Sequence, residues 1–318
     1  MAANHAGLAG APVLVTGASG FIGRALCTTL LEVGAEVHGS SRRLRSLPEG
    51  VHWHAADFAD EAAADGLIAR VQPEIVYHLA GAVTGVRDVD QVIPVFASTL
   101  ASTVHVLTAA QRHGCRRVVL ASSMEEPDAD DAIAIPSSPY AAAKWASGGY
   151  GRMFASLYGL EVVELRVFMT YGPGYQPLGK LVPAVVLGLL RGEPPSLGSG
   201  TRRIDWVYID DVVDALRRAA TADVPVGVRP DVGSGQLHSI REFVERLASH
   251  VDSGAELAFG TGQNRAAERE AVADLTTSRR ILGWEPRVGL DDGLARVVAW
   301  YRERYRLGDF DDDRASAG

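Results

Sequence analysis

Three glycines spaced three residues apart interrupt the chain between a short apolar run and a helix-like stretch. The apolar run covers residues 13–15, the glycines lie in TGASGFIG at residues 16–23, and the helical pattern covers residues 24–33. Glycines permit a tight turn and let a ligand approach the helix N-terminus, where free N–H groups attract phosphate. The sequence therefore predicts a turn that binds a dinucleotide pyrophosphate, with a glycine turn that binds nothing as the alternative. The residues predicted to line it are Gly17, Ser19, Gly20, Phe21, Ile22 and Gly23.

Apolar runs rich in β-branched residues alternate with helix-length segments along the first half of the chain. The runs cover residues 13–15, 36–38, 75–79, 118–121 and 162–167, and the helical patterns cover residues 24–33, 61–71, 96–113 and 140–157. This alternation predicts an α/β fold, a Rossmann-type doubly wound parallel sheet. Gly34, Gly114 and Gly159 stand where helices are expected to end.

The alternation weakens after about residue 169, where prolines divide the chain into loops and short helices. We therefore expect a dinucleotide-binding domain in residues 1–168, with a return segment near residues 205–232. Residues 169–308 are expected to form mainly a smaller C-terminal lobe that binds the substrate. Residues 1–9 and the polar residues 309–318 are expected to be flexible tails.

The segment after the second predicted strand indicates which dinucleotide is bound. NAD-binding proteins place an Asp or Glu about 20 residues past the glycines, where it holds the ribose 2′-hydroxyl. This chain has Ser41, Arg42 and Arg43 there, and two guanidiniums suit a 2′-phosphate. NADP(H) is therefore favoured over NAD(H), with a solvated basic turn as the alternative. Asp57, after the third strand segment, is expected to accept a hydrogen bond from the adenine amino group.

Tyr140 and Lys144 lie four residues apart on a predicted helix and therefore share one face. A lysine and an oxidised nicotinamide would both favour the tyrosine phenolate, which can exchange a proton with a carbinol or carbonyl. Ser123 ends the strand segment 118–121 and would face the same crevice, where it can hydrogen-bond the reacting oxygen. The alternative is a Tyr–Lys pair on the helix surface.

Composition favours an enzyme without nucleic-acid, membrane or metal partners. The 318 residues carry a net charge of −8, and no basic stripe is interleaved with aromatic residues. The longest apolar run noted, residues 181–190, contains Pro183 and is shorter than the roughly 20 residues of a membrane span. Cys27 and Cys115 have neither CxxC nor metal-ligand spacing, so we expect reduced thiols, no metal and a cytoplasmic location.

Motifs along nearly the whole chain resemble those of extended short-chain dehydrogenase/reductases of the sugar-nucleotide epimerase, dehydratase and reductase group. In order they are TGASGFIG, HLAGA (78–82), VVLASS (118–123), YAAAK (140–144), RVFMTYGPG (166–174), DWVYIDDVVDA (205–215), VGSG (232–235) and ILGWEP (281–286). The resemblance implies that Tyr140 is the acid–base residue, that Lys144 binds the ribose and tunes Tyr140, and that Ser123 holds the reacting oxygen. It also implies a homodimer formed through helices 96–113 and 140–157. Further cofactor contacts are expected from Phe58, Leu79, Ala80, Gly81 and Val167.

VHGSSRR, at residues 37–43, is similar to a segment of GDP-mannose dehydratases and related 4-keto sugar reductases, which use NADP. In 4,6-dehydratases a Glu at the place of Glu125 removes the C5 proton, but Met124 stands where many of them keep an Asp. A thioether cannot donate a proton to a leaving 6-hydroxyl. The alternative interpretation of Glu125 and Glu126 is a solvated pair of loop carboxylates. Met169 replaces a substrate-binding Asn, Ile204 replaces an arginine, and Thr99 replaces an Asn beneath the site. The expected substrate contacts are Thr84, Ser123, Met169, Leu181, Arg202, Arg203 and Arg265.

These features predict an NADP(H)-dependent oxidoreductase that acts on a nucleotide-activated sugar. The favoured reaction is reduction of a nucleoside-diphosphate 4-keto-6-deoxyhexose, because it needs only hydride from the cofactor, a proton from Tyr140 and positioning by Ser123. The alternative is a redox-neutral 4-epimerase or 4,6-dehydratase that holds NAD(P) tightly and uses Glu125 as base. A protein that binds a dinucleotide only as a sensor or scaffold is a further possibility of a different class.

Overall fold

A seven-stranded parallel sheet is the frame of the computed structural model, which describes residues 7–43, 48–127, 134–193, 195–251, 254, 256–260 and 270–310. Its strands are β1 (Pro12–Thr16), β2 (Glu36–Ser41), β3 (His52–Ala55), β4 (Ile75–His78), β5 (Arg117–Ser123), β6 (Glu161–Val167) and β10 (Asp231–Val232). They lie in the order β10-β6-β5-β4-β1-β2-β3, with every neighbouring pair parallel. The strand order reverses between β1 and β4, which is where sheets of this kind bind ligands at their carboxyl ends. The predicted doubly wound sheet is confirmed.

Helices connect these strands close to the predicted positions. They are α1 (Phe21–Glu32), α2 (Glu61–Val71), α3 (Val92–Val95), which continues through a π-helical turn (Phe96–Ala101) into α4 (Ser102–Arg112), and α5 (Pro139–Tyr158). Gly34, Gly114 and Gly159 follow α1, α4 and α5 with φ of 80°, 72° and 72°. This left-handed conformation ends each helix at little steric cost because glycine lacks a Cβ atom.

Chain contacts divide the protein into two units. The first comprises residues 1–168, 212–232 and 274–285, and the second comprises residues 169–211, 233–273 and 286–318. The sequence analysis drew a boundary at the same residue, 168, but the contacts put residues 205–211 of the expected return segment in the second unit. They also add residues 274–285 to the first unit, which the sequence analysis did not anticipate.

A buried ion pair links residues 212–232 and 274–285 to the rest of the first unit. Asp231 in β10 accepts hydrogen bonds from Arg166 Nε at 2.7 Å and Nη2 at 2.6 Å, and from the amide of Asp274 at 2.9 Å. The hydroxyl of Ser278 donates to the Asp231 carbonyl. These bonds join β6, β10, the short α9 (Leu275–Thr277) and the π-helical turn Ser278–Leu282 that follows it.

The second unit is built around a three-stranded sheet. Its strands are β7 (Met169–Tyr171), β9 (Arg203–Tyr208) and β11 (Leu237–Ser239), in the order β11-β9-β7, with β7 parallel and β11 antiparallel to β9. A parallel pair joins β8 (Ser196–Leu197) to β12 (Ala258–Phe259). The remaining helices are α6 (Leu181–Leu190), α7 (Ile209–Ala219), which continues into residues of the first unit, α8 (Ile240–Ser249) and α10 (Leu290–Arg306).

The core of the second unit includes Phe310, although residues 309–318 were expected to be a flexible tail. The indole of Trp206 stacks on Phe243 with ring centroids 3.8 Å apart. Phe310, assigned from sequence to a flexible tail, is only 4% exposed and stacks on Tyr301. In the first unit, Leu8 is equally buried. The expected tails at residues 1–9 and 309–318 are therefore wrong for residues 8 and 310, while residues 1–6 and 311–318 lie outside the described part of the chain.

In the part of the chain that the structure describes, one helical stretch, Val89–Arg112, is long and apolar enough to cross a membrane by length and composition, with a mean hydropathy of 1.6. The expectation that the protein has no membrane partner rested on the apolar run 181–190 and did not take this stretch into account. About two fifths of its most apolar window, 39%, is buried inside the protein, where Val106 and Leu107 join the core between α2 and the sheet. A single helix of this kind is weak evidence for a membrane span, because core helices of other folds have the same composition.

Candidate active site

The glycine turn packs so closely that side chains are excluded at two positions. Gly17 has φ of 67°, and a Cβ built on it would lie 2.9 Å from the Leu79 carbonyl oxygen and the Ala80 amide nitrogen. A Cβ on Gly23 would overlap the carbonyl oxygen of Gly17. The amide of Gly20 donates to that same carbonyl at 2.9 Å. Only glycine fits this turn at positions 17 and 23, whether or not a ligand is bound.

The N-terminus of α1 has the properties of an anion site. Gly20 is the N-cap residue, and among the described residues no side chain caps the helix and no acid lies in its first turn. The first N–H groups of a helix have no partner within the helix, and its dipole favours negative charge there. The turn therefore fits a dinucleotide pyrophosphate. Ser19, Phe21 and Ile22, predicted to line it, are each partly exposed.

Thr16 links this turn to the chain that follows β4. Its Oγ1 accepts hydrogen bonds from the amides of Leu79 and Ala80, both at 3.1 Å, and lies 3.0 Å from Nδ1 of His78. Gly81, next along the chain, has φ of 153°. The predicted cofactor residues Leu79, Ala80 and Gly81 are thus held beside the glycine turn. Sequence reasoning did not single out Thr16 or His78.

The predicted adenosine site lies at the ends of β2 and β3. Arg42 and Arg43 are exposed, while the hydroxyl of Ser41 donates to the Arg43 carbonyl at 2.8 Å and accepts from Trp53 Nε1. Exposed Asp57 accepts from the amide of Ala59. Phe58 is only 4% exposed and packs in the core, so its ring offers almost no surface to a cofactor.

Ser123, Tyr140 and Lys144 are brought together at the carboxyl end of β5. Ser138 caps α5 by accepting from the Ala141 amide, which places Tyr140 in the first helical turn. The Ser123 hydroxyl is close enough to Tyr140 to lower the pKa of the tyrosine by hydrogen bonding. Nζ of Lys144 donates to the Ala121 carbonyl at 2.6 Å and lies 6.0 Å from the centre of the Tyr140 ring. The three residues are therefore placed for the proton transfer predicted from their spacing.

Burial opposes charge on both Tyr140 and Lys144. Burial raises the pKa of Tyr140 to about 12, against the hydrogen bond from Ser123, and the carboxylates of Glu126 and Glu125 raise it further. Burial also lowers the pKa of Lys144, while Glu126 and Glu164 act to raise it. Without an added positive charge, Tyr140 is thus a proton donor near neutral pH, and nearby carboxylates favour the Lys144 ammonium.

The loop after β5 contains one carboxylate at its surface and one in its interior. Glu125, the predicted base, is half-buried, and its amide donates to Ser123 Oγ at 3.2 Å. Met124 is 4% exposed, and its amide donates to the carbonyl of Val167 at the end of β6. A solvated loop pair was one interpretation of Glu125 and Glu126. It is wrong for Glu126, which is 1% exposed.

The buried carboxylate of Glu126 holds Ser122 and Ser123, at the end of β5, in place. Its Oε1 accepts from the Ser122 hydroxyl at 2.5 Å and from the Ser123 amide at 2.8 Å, and its Oε2 accepts from Arg229 Nη1 at 2.7 Å. Burial and the nearby Glu164 raise the pKa of Glu126, while these hydrogen bonds and Arg229 lower it. Sequence spacing gave no signal for this contact, because Arg229 is 103 residues away.

Most of the residues predicted to bind the substrate lie in the second unit. Met169 begins β7 and Leu181 begins α6, both half-buried. Arg202 is buried and Arg203, the first residue of β9, is exposed with its amide bonded to Glu270. In the first unit, Thr84 Oγ1 accepts from the Val86 amide. Arg265 lies outside the described residues.

Comparisons with known proteins agree on one family. Residues 13–230 match the model of the NAD dependent epimerase/dehydratase family. The chain is 35% identical to a UDP-glucose 4-epimerase of Mycolicibacterium smegmatis, covering 92% of this chain and 98% of that protein. It is 30% identical to a dTDP-glucose 4,6-dehydratase of an Actinoplanes species, covering 91% and 97%. The structure of Thermus thermophilus UDP-glucose 4-epimerase in complex with NAD has a TM-score of 0.81 and 27% identity, covering 91% and 98%.

Replacing Glu126 by alanine is expected to lower the free energy of unfolding by about 3–5 kcal/mol. The reason is that the Arg229 guanidinium loses its buried partner at 2.7 Å, and the amide of Ser123 loses the carboxylate that accepts its hydrogen bond. Urea unfolding measures this. The control is Glu61→Ala, which removes an exposed carboxylate bonded to Arg112 and is expected to cost less than about 1 kcal/mol. Equal losses for the two variants would show that Glu126 does not hold the turn.

Proposed function

Because the chain belongs to the NAD dependent epimerase/dehydratase family, we propose that it inverts C4 of the sugar in a nucleoside-diphosphate sugar and retains its nicotinamide dinucleotide through the reaction. The observation that carries the proposal is the cluster of Ser123, Tyr140 and Lys144 next to the buried Met124. This cluster can move a proton on and off a sugar hydroxyl. An apolar thioether beside it does not assist loss of the 6-hydroxyl.

Each residue of the cluster has a role in this reaction. Tyr140 removes the proton of the 4-hydroxyl and returns it after the 4-keto sugar has exposed its opposite face. The Ser123 hydroxyl, fixed by its bonds to Tyr140 and the Glu125 amide, holds the reacting oxygen. The positive charge of Lys144 favours the phenolate of Tyr140. A nicotinamide dinucleotide would accept hydride from C4 and return it, and the N-terminus of α1 would hold its pyrophosphate.

A 4,6-dehydratase is the second candidate, and Glu125 favours it. The Glu125 amide is bonded to Ser123, and its carboxylate is close enough to raise the pKa of Tyr140. A carboxylate there can remove a proton next to a 4-keto group. Net reduction, favoured from the sequence alone, has less support, because the relatives described above are epimerases and a dehydratase. We propose a cytoplasmic location in each case.

The test is to incubate the purified protein with UDP-glucose and with dTDP-glucose, and to identify the products by NMR. We expect epimerisation of one of them without added cofactor. Tyr140→Phe is expected to lower kcat by about 10²–10⁴-fold while the bound dinucleotide is retained, because only the proton transfer is lost. The control is Tyr150→Phe, which alters an exposed tyrosine on the same helix.

The other outcomes of this assay each identify a different reaction. A 4-keto-6-deoxy product from dTDP-glucose would identify a dehydratase, and loss of that product in Glu125→Gln would identify the base. Consumption of added NADPH with a 4-keto sugar would identify a reductase. A fully active Tyr140→Phe enzyme would contradict the proton-transfer mechanism in all three cases.

We further propose that the dinucleotide is NADP(H), on the basis of Arg42 and Arg43 at the end of β2. Replacing both by alanine is expected to raise the Kd of NADPH at least about tenfold, since charged hydrogen bonds to a 2′-phosphate contribute about 1.5–3 kcal/mol each. The Kd of NADH is expected to change little. Isothermal titration of protein freed of its cofactor measures both.

The matched control for this pair is Arg279→Ala with Arg280→Ala, which removes two adjacent exposed arginines after α9. Its cofactor affinities are expected to equal those of the unaltered protein. An equal loss of NADPH and NADH affinity in the Arg42 and Arg43 variant would contradict the assignment to the 2′-phosphate.

We also propose a homodimer formed through the stretch that leads into α4 and through α5. Large apolar side chains are exposed there, with Val89 at 77%, Ile93 at 71% and Phe96 at 50%, and Trp145 on α5 at 39%. An exposed apolar patch of this kind is typical of an interface.

Ile93→Asp is expected to convert the dimer to a monomer, because a carboxylate in an apolar interface loses its hydration without a partner. Light scattering coupled to size-exclusion chromatography measures the mass. Val226→Asp, at a site 59% exposed in the loop between α7 and β10, is the control and is expected to remain dimeric. An unchanged mass for Ile93→Asp would contradict this interface.

A further inference from the structure

The middle of strand β6 carries a buried carboxylate, that of Glu164. Glu164 is 8% exposed, and its neighbours along the strand, Val163 and Leu165, are buried. Room for it comes from Gly148 on α5, where a built Cβ would lie 2.5 Å from Glu164 Oε1 and 2.9 Å from Oε2. A strand buried on both faces is normally apolar throughout. The absence of a side chain at Gly148 therefore leaves room for a buried carboxylate at a position where an apolar side chain would be expected.

Glu164 lines a small cavity next to Lys144. The cavity has a volume of about 10 Å³, and its polar walls include His78, Ser122, Lys144 and Glu164. This is about the space that one ordered water needs, and such a water requires two to four polar partners. Within the described residues, Oε1 of Glu164 and Nε2 of His78 are both buried without a hydrogen-bond partner. Buried polar atoms of this kind are normally satisfied, often by ordered water.

The hydrogen bonds of Thr16 determine which nitrogen of His78 carries the proton. Both lone pairs of Thr16 Oγ1 are used by the amides of Leu79 and Ala80, so its hydroxyl proton is directed to Nδ1 of His78. Burial and the nearby Lys144 lower the pKa of His78 to about 3, which keeps the ring neutral. A neutral ring that accepts at Nδ1 carries its proton on Nε2. The unpartnered Nε2 is therefore a donor.

The charges around Glu164 come from three elements. Helix α5 contributes Lys144, and Arg152 at 3.5 Å from Oε2. The segment before β10 contributes Arg229, whose Nη1 is 3.6 Å from Oε1, and the loop after β5 contributes Glu126. The ring of His78, from β4, is neutral. With both carboxylates ionised, their charge offsets the charges of Arg229 and Lys144, while Arg152 lies half exposed at the margin.

We propose that one ordered water occupies this cavity, accepts hydrogen bonds from His78 Nε2 and Lys144 Nζ, and donates to Glu164 Oε1, and that Glu164 thereby keeps Lys144 protonated during catalysis. Lys144 already gives one of its three protons to the Ala121 carbonyl, which leaves donors for the water. Glu164 acts through Lys144 and is a positioning residue. The proposed role of Lys144 in the reaction rests on the function proposed above, whereas the water site itself does not.

The first test is a crystal structure of the protein with its bound dinucleotide at about 1.5 Å resolution. We expect a water within hydrogen-bond distance of His78 Nε2, Lys144 Nζ and Glu164 Oε1. A cavity filled by a protein side chain, or a direct bond from Lys144 to Glu164 with no water, would overturn the site. This measurement needs no variant and no substrate.

The second test is the pH dependence of kcat for Glu164→Gln. Removing a negative charge near Lys144 favours its neutral form, so its ammonium is lost at a lower pH. We expect the alkaline limb of the profile to move down by about one pH unit or more, with kcat near pH 7 much less affected. An unchanged limb, or an equal fall at every pH, would indicate a purely structural role and overturn the proposal.

The matched control is Glu161→Gln, which removes a carboxylate from the first position of the same strand, where it pairs with Arg117. Its alkaline limb is expected to stay in place. Gly148→Ala is a second variant, because its methyl group displaces the Glu164 carboxylate and should move the limb in the same direction as Glu164→Gln. If the unaltered protein turns over no nucleotide sugar, the proposed function fails, while the crystal structure still decides the water site.

Discussion

The hydroxyl of Thr16, at the end of β1, connects the segments on which the candidate site is built. By accepting from the amides of Leu79 and Ala80, it holds the chain after β4 against the glycine turn. Without this acceptor two partly buried amides would lose their hydrogen-bond partner. The same two bonds direct its proton to His78. One buried hydroxyl therefore contributes both to the shape of the glycine turn and to the polarity of the cavity next to Lys144.

Two ion pairs inside the first unit lie towards the carboxyl ends of β5 and β6. Glu126 pairs with Arg229 and Asp231 pairs with Arg166, each at 2.7 Å or less. Ion pairs removed from water often contribute little net stability, because desolvation offsets their attraction. Their placement at the ligand-binding edge of a doubly wound sheet is thus better explained by the positioning of Ser123 and the return of β10 than by stability.

The features that could be predicted from the sequence are those determined by residues close together in the chain. The glycine spacing and the four-residue step from Tyr140 to Lys144 specify their geometry locally, and the alternation of strands and helices predicts the sheet. The resemblance to the epimerase and dehydratase family is confirmed by the match over residues 13–230. Glu126 was not predicted as buried, since its partner Arg229 is distant in sequence. The return segment expected near residues 205–232 begins at residue 212, because β9 pairs with β7 of the second unit, and nothing in the sequence indicates that pairing.

Glu164 did leave a signal, a single acid within the apolar run 162–167, and its meaning follows from the balance of charge that the proposed inversion requires. Tyr140 has to release and recover a proton in one cycle, so its pKa cannot remain as high as burial makes it. In the proposed reaction the Lys144 ammonium and a nicotinamide cofactor would lower that pKa, but burial disfavours the ammonium. A carboxylate at Glu126 favours the ammonium and at the same time opposes the phenolate. Glu164 is among the groups that raise the pKa of Lys144, so it supports the ammonium on which the proposed proton transfer depends.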